Sequence, residues 1–237
     1  MTSKLTASLL TTGSLLLATV VQAQTSFSIG PKVGLNAATT YYTPAVKGLS
    51  LRYRLGIEAG VAGSLSFGHF ALQPALLYSQ KGYKQHARVD YTTGPGRPYG
   101  TADFDGVERL NYVTLPISLA YCQRQNGQGF QVFVGPYLAL LLGGNFTNTI
   151  QYPLGPDTFS GNIMPDGEDA RGAVARRYDA GLQAGLGYRY QALLFQVDYS
   201  MGLHTRTVEA DMGGRASNYA YNRAFQASLS YLFGPKG

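Results

Sequence analysis

The sequence predicts an all-β protein, an eight-stranded antiparallel up-and-down transmembrane β-barrel. Three observations carry this. Apolar residues alternate with small or polar ones over segment after segment, which is the period of a strand with two unlike faces. Short and long connections alternate strictly along the chain. The apolar face gathers aromatic residues near the strand ends, while the opposite face is dominated by Gly, Ala and Ser.

The first strand is expected around residues 27–36. The clearest pattern follows over 51–67, where Leu51, Tyr53, Leu55, Ile57, Ala59, Val61, Leu65 and Phe67 share one parity. Arg52, Arg54, Gly56, Glu58, Gly60, Ala62, Ser64 and Ser66 share the other, whereas a helix would scatter the charges around its circumference. The third strand alternates Phe70, Leu72, Leu76 and Tyr78 with Ala71, Gln73, Ala75 and Ser79. The fourth sets Val113, Leu115, Ile117, Leu119 and Tyr121 against Thr114, Pro116, Ser118 and Ala120. The fifth is marked by Phe130, Val132, Val134, Leu138 and Leu140, with Phe133 and Tyr137 making its other face less polar. Three more run over 178–190, 193–202 and 225–233 with the same alternation. Eight is an even number at the lower limit for bacterial barrels.

Short turns are expected at Gly68-His69, over 123–129 and near Gln191, and long connections over 37–50, 85–106, 145–173 and 204–222. The long ones are rich in Gly, Pro, Asn, Asp and Thr, as loops are. Outer-membrane barrels have short periplasmic turns and long outer loops, so four extracellular loops are expected.

Alternation alone does not say which face points outward. A soluble lipocalin-like carrier would line a ligand cavity with the apolar face. The polar face here lacks the Lys and Glu of a soluble surface. It carries a sparse charge cluster, Arg52, Arg54, Glu58, Lys81, Asp179, Arg189 and Asp198, that suits the filled lumen of a small barrel. The apolar face would set Phe67, Phe70, Tyr121, Phe130, Tyr190, Tyr231 and Phe233 at the short-turn rim. Tyr53, Tyr78, Tyr112, Tyr178 and Tyr199 would lie toward the long-loop rim, completing two interfacial girdles. The chain has no Trp, so a lipocalin Gly-x-Trp signature is absent. The apolar face is therefore expected to meet lipid.

The N-terminus is consistent with export. Lys4 precedes an apolar stretch over 5–21, and Val21-Gln22-Ala23 offers small residues at a signal-peptidase site. Residues 1–23 are thus expected to be a signal peptide and 24–237 the barrel domain. Thr11, Thr12, Gly13 and Ser14 interrupt the stretch, which favours a cleaved leader over a retained membrane helix. With 30 Gly, 18 Tyr and 14% charged residues, the composition suits a crowded barrel. The net charge of +6 is spread along the chain, without the clustered basic stripe that nucleic-acid binding needs.

Several elements stand out: residues 29–36 (IGPKVGLN), 72–82 (LQPALLYSQKG), 112–117 (YVTLPI), 134–137 (VGPY), 184–188 (AGLGY) and the closing Tyr231-Leu232-Phe233. Together they resemble the PorT-like outer-membrane β-barrel family of Gram-negative bacteria. The resemblance spans essentially the whole mature chain and implies the barrel architecture and the outer membrane. It says little about activity, since some relatives are linked to a secretion system and most are described only as barrels. Gly-Pro-Lys-Gly follows Phe233, a departure from barrels that end at the terminal aromatic.

Signs of chemistry are sparse. Cys122 is the single cysteine, which excludes an intramolecular disulfide, and is read as inert or tolerated in a turn. His69, His86 and His204 lack metal-ligand spacing. Asp103, Asp105 and Glu108, with Asp166, Glu168 and Asp169, are read as solvated loop carboxylates rather than calcium ligands. Gly181, Gly185 and Gly187 fall in a strand pattern and not in a phosphate loop. No Ser-His-Asp arrangement follows from spacing. The expectation is a non-catalytic structural or interaction scaffold without cofactors. Its expected partners are outer-membrane lipid, the barrel-assembly machinery during biogenesis, and an extracellular or envelope protein held by the loops, above all by 145–173. The alternatives are a narrow channel, a soluble carrier or a barrel-type lipid-modifying enzyme.

Overall fold

The computed structural model describes residues 25–45, 48–92, 99–167, 174–205, 207–210 and 216–234. The expected leader, residues 1–23, lies outside the described residues. The chain folds as strands β1 (Ser26–Thr43), β2 (Leu49–Phe67), β3 (Phe70–Thr92), β4 (Tyr99–Cys122) and β5 (Gly129–Tyr152). These are followed by β6 (Gly155–Ile163), β7 (Val174–Ala175), β8 (Tyr178–Tyr190), β9 (Leu193–Gly202), β10 (Thr207–Ala210) and β11 (Ala216–Tyr231). No helix among the described residues is long and apolar enough to cross a membrane.

Eight of these strands close a ring in the order β1-β2-β3-β4-β5-β8-β9-β11, and β11 pairs back onto β1 through Val33↔Leu229 and Leu35↔Ala227. Every neighbouring pair is antiparallel. Closure leaves no unpaired edge within the ring, which is what lipid demands of a sheet. The other strands stand off it: β6 on β5, β10 on β11, and β7 on β10.

The two faces of the wall are inverted relative to a soluble protein. Val33, Leu35, Leu55, Ile57, Leu76, Ile117, Val134, Leu138, Leu186, Val197 and Leu229 are exposed, Leu55 at 75%. Asn36, Glu58, Ser64, Ser79, Lys81, Ser118, Gln131, Asp179, Gln196 and Ser228 are buried. A wall whose outside is Val, Leu and Ile and whose inside is Ser, Gln and charge is stable only if the outside is not in water.

The long connections are corrected by the structure. Most of 37–50, 85–106, 145–173 and 204–222 is strand, not loop. β3, β4 and β5 run for 23, 24 and 24 residues, more than twice the roughly 9–11 residues a tilted strand needs to cross the hydrocarbon. The ladder continues past the apolar band as hairpins: β3 and β4 remain in register from Ser79↔Tyr112 to Thr92↔Tyr99. Outside lipid the strands lose their apolar face but keep their backbone bonds. Polar cross-strand pairs support them, as in His86 with Asp105 at 3.0 Å, Arg88 with Asp103 at 3.4 Å and Thr149 with Thr158 at 3.0 Å.

Candidate functional site

The interior is filled by side chains that meet across the ring. In the layer toward the short turns, Lys32 Nζ on β1 donates to Gln196 Oε1 on β9 at 3.2 Å. Gln196 Nε2 donates to Gln73 Oε1 on β3 at 3.0 Å, and Gln73 Nε2 to Gln131 Oε1 on β5 at 2.7 Å. β3 and β9 stand opposite one another in the ring, so this relay crosses the full width of the lumen. An interior void of about 20 Å³ remains beside Lys32, Gln73 and Gln196.

A second layer lies toward the hairpins. Lys81 Nζ sits 4.6 Å from the Tyr137 ring centre and 5.7 Å from that of Tyr112, close enough for cation–π attraction. Tyr137 donates its hydroxyl proton to Asp179 Oδ2 at 3.3 Å, and Asn222 Nδ2 donates to the same oxygen at 2.7 Å. Asn222 on β11 also reaches Tyr112 Oη on the opposite strand β4 at 3.4 Å. Glu58, Asp179 and Asp198 lie within electrostatic range of Lys81, and Lys32 within range of Glu58 and Asp198. Buried charges need partners of this kind.

The expected charge cluster is thus divided. Glu58, Lys81, Asp179 and Asp198 come together. Arg54 is half-buried at their outer side, with Nη1 donating to the Lys81 carbonyl at 3.4 Å. Arg189 lies apart, at the short-turn mouth, where Nη2 donates to Ser28 Oγ at 3.1 Å. Arg52 departs from the buried cluster: it is exposed on β2, where Lys84 is its register partner on β3.

Tyr112 is corrected as well. The sequence pattern puts it in the outer girdle, but it is 1% exposed and forms part of the interior layer. It has the parity of Thr114 and Ser118, both buried, and not that of exposed Leu115. The other aromatics expected in the two girdles stand on the outside or at its edge. Phe70 and Tyr121 meet at 5.5 Å, Phe67 stacks on Phe70 at 6.2 Å, Phe130 meets Tyr188 at 4.8 Å and Tyr231 meets Phe233 at 4.8 Å around the short-turn end. Tyr190 is exposed there too. Toward the hairpins, Tyr53 and Tyr199 flank Phe225 at 5.9 and 4.8 Å, and Tyr78 and Tyr178 are exposed.

Residue-level reading missed Lys32, Gln73, Gln131, Gln196, Tyr137 and Asn222. Parity was the signal available for the first four: Lys32 alternates with exposed Val33, and Gln131 with exposed Phe130 and Val132. Two further expectations change. Cys122 is not in a turn but ends β4, buried, with Sγ 3.8 Å from Gln131 Oε1. Glu108 is not a loop carboxylate but a buried residue of β4 that accepts from Tyr83 Oη at 3.3 Å. Asp166 is exposed and clamped by Arg177, whose backbone N and Nε donate to its two oxygens at 3.0 Å each. Glu168 and Asp169 lie outside the described residues. Among the described residues, no three His, Cys, Asp or Glu side chains are grouped to hold a metal.

A closed eight-strand ring with an apolar outside and a polar, hydrogen-bonded inside defines a transmembrane β-barrel. The family of the outer membrane protein beta-barrel domain matches residues 22–207. The chain belongs to that family, which places it in the outer membrane. No curated protein matches it in sequence. Among solved structures it is similar to Neisserial surface protein A, at 10% identity and a TM-score of 0.40, covering 87% of this chain and 97% of that one. It is similar also to Ail, the attachment invasion locus protein of Yersinia pestis, solved with the heparin analogue sucrose octasulfate, at 10% identity and a TM-score of 0.36, covering 88% and 99%. The outer membrane protease OmpT from Escherichia coli matches at 11% identity and a TM-score of 0.41, covering 88% and 96%.

Proposed function

We propose that this protein is a closed, non-catalytic anchor that holds rigid β-hairpins beyond the outer surface of the membrane, where they engage an extracellular or envelope protein. The observation that carries this reading is the contrast between its two halves. The lumen is crossed by side-chain hydrogen bonds between opposite strands, while the strands continue as paired ladders well past the apolar band. A scaffold that spends so much ordered backbone outside lipid has its function there. The β5–β6 hairpin is the favoured contact surface: β6 is exposed along nearly all its length, and Leu154 and Phe159 are exposed apolar side chains on it or at its turn. The leader over 1–23 is part of this reading, as export to the outer membrane requires one. So is placement among the PorT-like barrels, which rests on the glycine- and proline-containing segments quoted above.

The test is to replace residues 150–157 by a two-residue Asn-Gly turn, leaving the Thr149–Thr158 pair to close the shortened hairpin. The barrel should fold and reach the outer membrane unchanged, while envelope phenotypes of a deletion strain should no longer be complemented. Full complementation would remove the hairpin from the function. A narrow channel is the second reading, and the interior relay argues against it: purified protein in planar bilayers is expected to give no steady single-channel current.

A further inference from the structure

Closure removes every edge from the ring, but β6 and β7 stand off it. β7 is two residues long, too short to template another strand. β6 is nine residues long and pairs with β5 and with no other strand among the described residues. Residues 155–160 are exposed at both parities, so neither face of this stretch is covered.

The sequence of β6 fixes which backbone groups are free. Its ladder with β5 runs from Tyr152↔Gly155 to Gly144↔Ile163 without a register shift. Pro156 has no N–H to give, so within that ladder it sits where the backbone points away from β5. Alternation turns the N–H and C=O of Thr158, Ser160 and Asn162 to the same free side. The hydroxyls of Thr149 and Thr158 meet at 3.0 Å, as side chains do at a pair that shares no backbone bonds. Thr158, Ser160 and Asn162 are exposed, and their outward backbone groups have no partner among the described residues.

Edge strands are ordinarily blunted by lysine, by a bulge or by shortness. β6 has none of these. Its one charged side chain is Asp157, which no cation pairs among the described residues. Phe159 meets Phe146 of β5 at 6.3 Å and is still 40% exposed, and Gly161, next along the same face, offers no side chain to cover it. An arriving strand therefore finds three free N–H groups, an open aromatic surface and a carboxylate toward the hairpin tip.

We propose that the free edge of β6, from Pro156 to Asn162, takes up an extended segment of a partner protein as an added antiparallel strand. The segment sets apolar side chains opposite Phe159 and Gly161, polar ones opposite Thr158 and Ser160, and a lysine or arginine opposite Asp157. This deepens the reading of the β5–β6 hairpin as the contact surface and rests on it. Main-chain bonds supply the affinity in this mode, and alternate side chains the specificity. A second copy is a poorer occupant. Two copies stand the same way up in one membrane, so β6 would meet β6 in parallel, the less stable pairing.

The test uses the full mature chain in lipid nanodiscs and a fluorescein-labelled peptide, TVTVTKT, read by fluorescence anisotropy. In the proposed register its threonine amides face β6 and its valine and lysine amides face away. Saturable binding is expected, lost on N-methylation of the threonine amides and kept on N-methylation of the valine and lysine amides. Ser160→Pro removes the central free N–H, leaves the ladder to β5 intact, and should weaken binding about tenfold. Absence of saturable binding, or equal binding of the two methylated peptides, would overturn the site. The methylated pair is measured on the wild type, so the test stands even if Ser160→Pro loses the heat-dependent gel shift of a folded barrel. Peptide-free protein that sediments as a dimer in detergent, and as a monomer once Ser160→Pro is introduced, would overturn the assignment to a partner's strand. Complementation separates this site from the hairpin reading. If the shortened hairpin fails to complement while Ser160→Pro complements in full, only the edge falls; if the shortened hairpin complements in full, the contact surface itself falls.

Discussion

At the scale of single residues, the interior is held by few and specific contacts. Asp179 accepts from Asn222 and Tyr137 and faces Lys81. Asp179→Ala would leave the Tyr137 and Asn222 donors in the lumen without their acceptor and take a carboxylate from the surroundings of Lys81, and is expected to cost about 2–5 kcal/mol in denaturant refolding from lipid vesicles. Tyr137→Phe removes one hydroxyl bond and keeps the ring under Lys81, so a loss of about 1 kcal/mol is expected in the same assay. Asp166 behaves differently because it is outside the membrane. Two hydrogen bonds from Arg177 hold its carboxyl below the ordinary range. The clamp therefore contributes fully above the carboxyl's unfolded pKa and is lost as pH falls through the depressed folded value. Limited proteolysis of the β6–β7 connection should increase on acidification in the wild type. Asp166→Asn should already be cut faster at neutral pH and should lose most of that pH dependence.

At the scale of elements, the strands were legible where lipid enforces alternation and illegible where it does not. Over 51–67 and 113–121 an apolar residue must appear at every second position, because one face is in hydrocarbon. Past Lys84 and Val107 the outer face meets water and not hydrocarbon, so the composition turns loop-like although the ladder persists to Thr92↔Tyr99. Arg52 is exposed because β2 there has run past the packed interior, beyond the register shift between Tyr53 and Glu58, and no composition marks such a shift. Tyr112 shows a third limit, since a tyrosine suits an interface and a lumen equally well. Several glycines within strands sit at close approaches between neighbouring strands. A Cβ on Gly135 would clash with the Ile117 carbonyl oxygen on β4. Gly135→Val should force β4 and β5 apart and abolish folding into detergent micelles, read as loss of the β-sheet circular dichroism signal.

At the scale of the whole molecule, the barrel and its lumen follow from one constraint. A ring of eight strands is narrow enough for Gln196 and Gln73, or Asn222 and Tyr112, to touch across it. That proximity fills the interior and leaves the hairpins as the part of the protein with free surface. The ring, the direction of its faces and the outward Leu and Val residues are legible in the alternation of the sequence. Which interior residues would meet depended on how the ring closes, information carried by the β1–β11 pairing and not by any single strand.

The central claim is that the apolar face meets lipid and the polar face fills the lumen. It is tested most directly by folding the mature chain into detergent or lipid and running it on an SDS gel with and without boiling. The account predicts a β-rich sample whose unboiled form migrates apart from the boiled one, because a closed ring resists SDS until heated. A chain that is monomeric and folded in buffer without detergent, with identical migration before and after boiling, would contradict it.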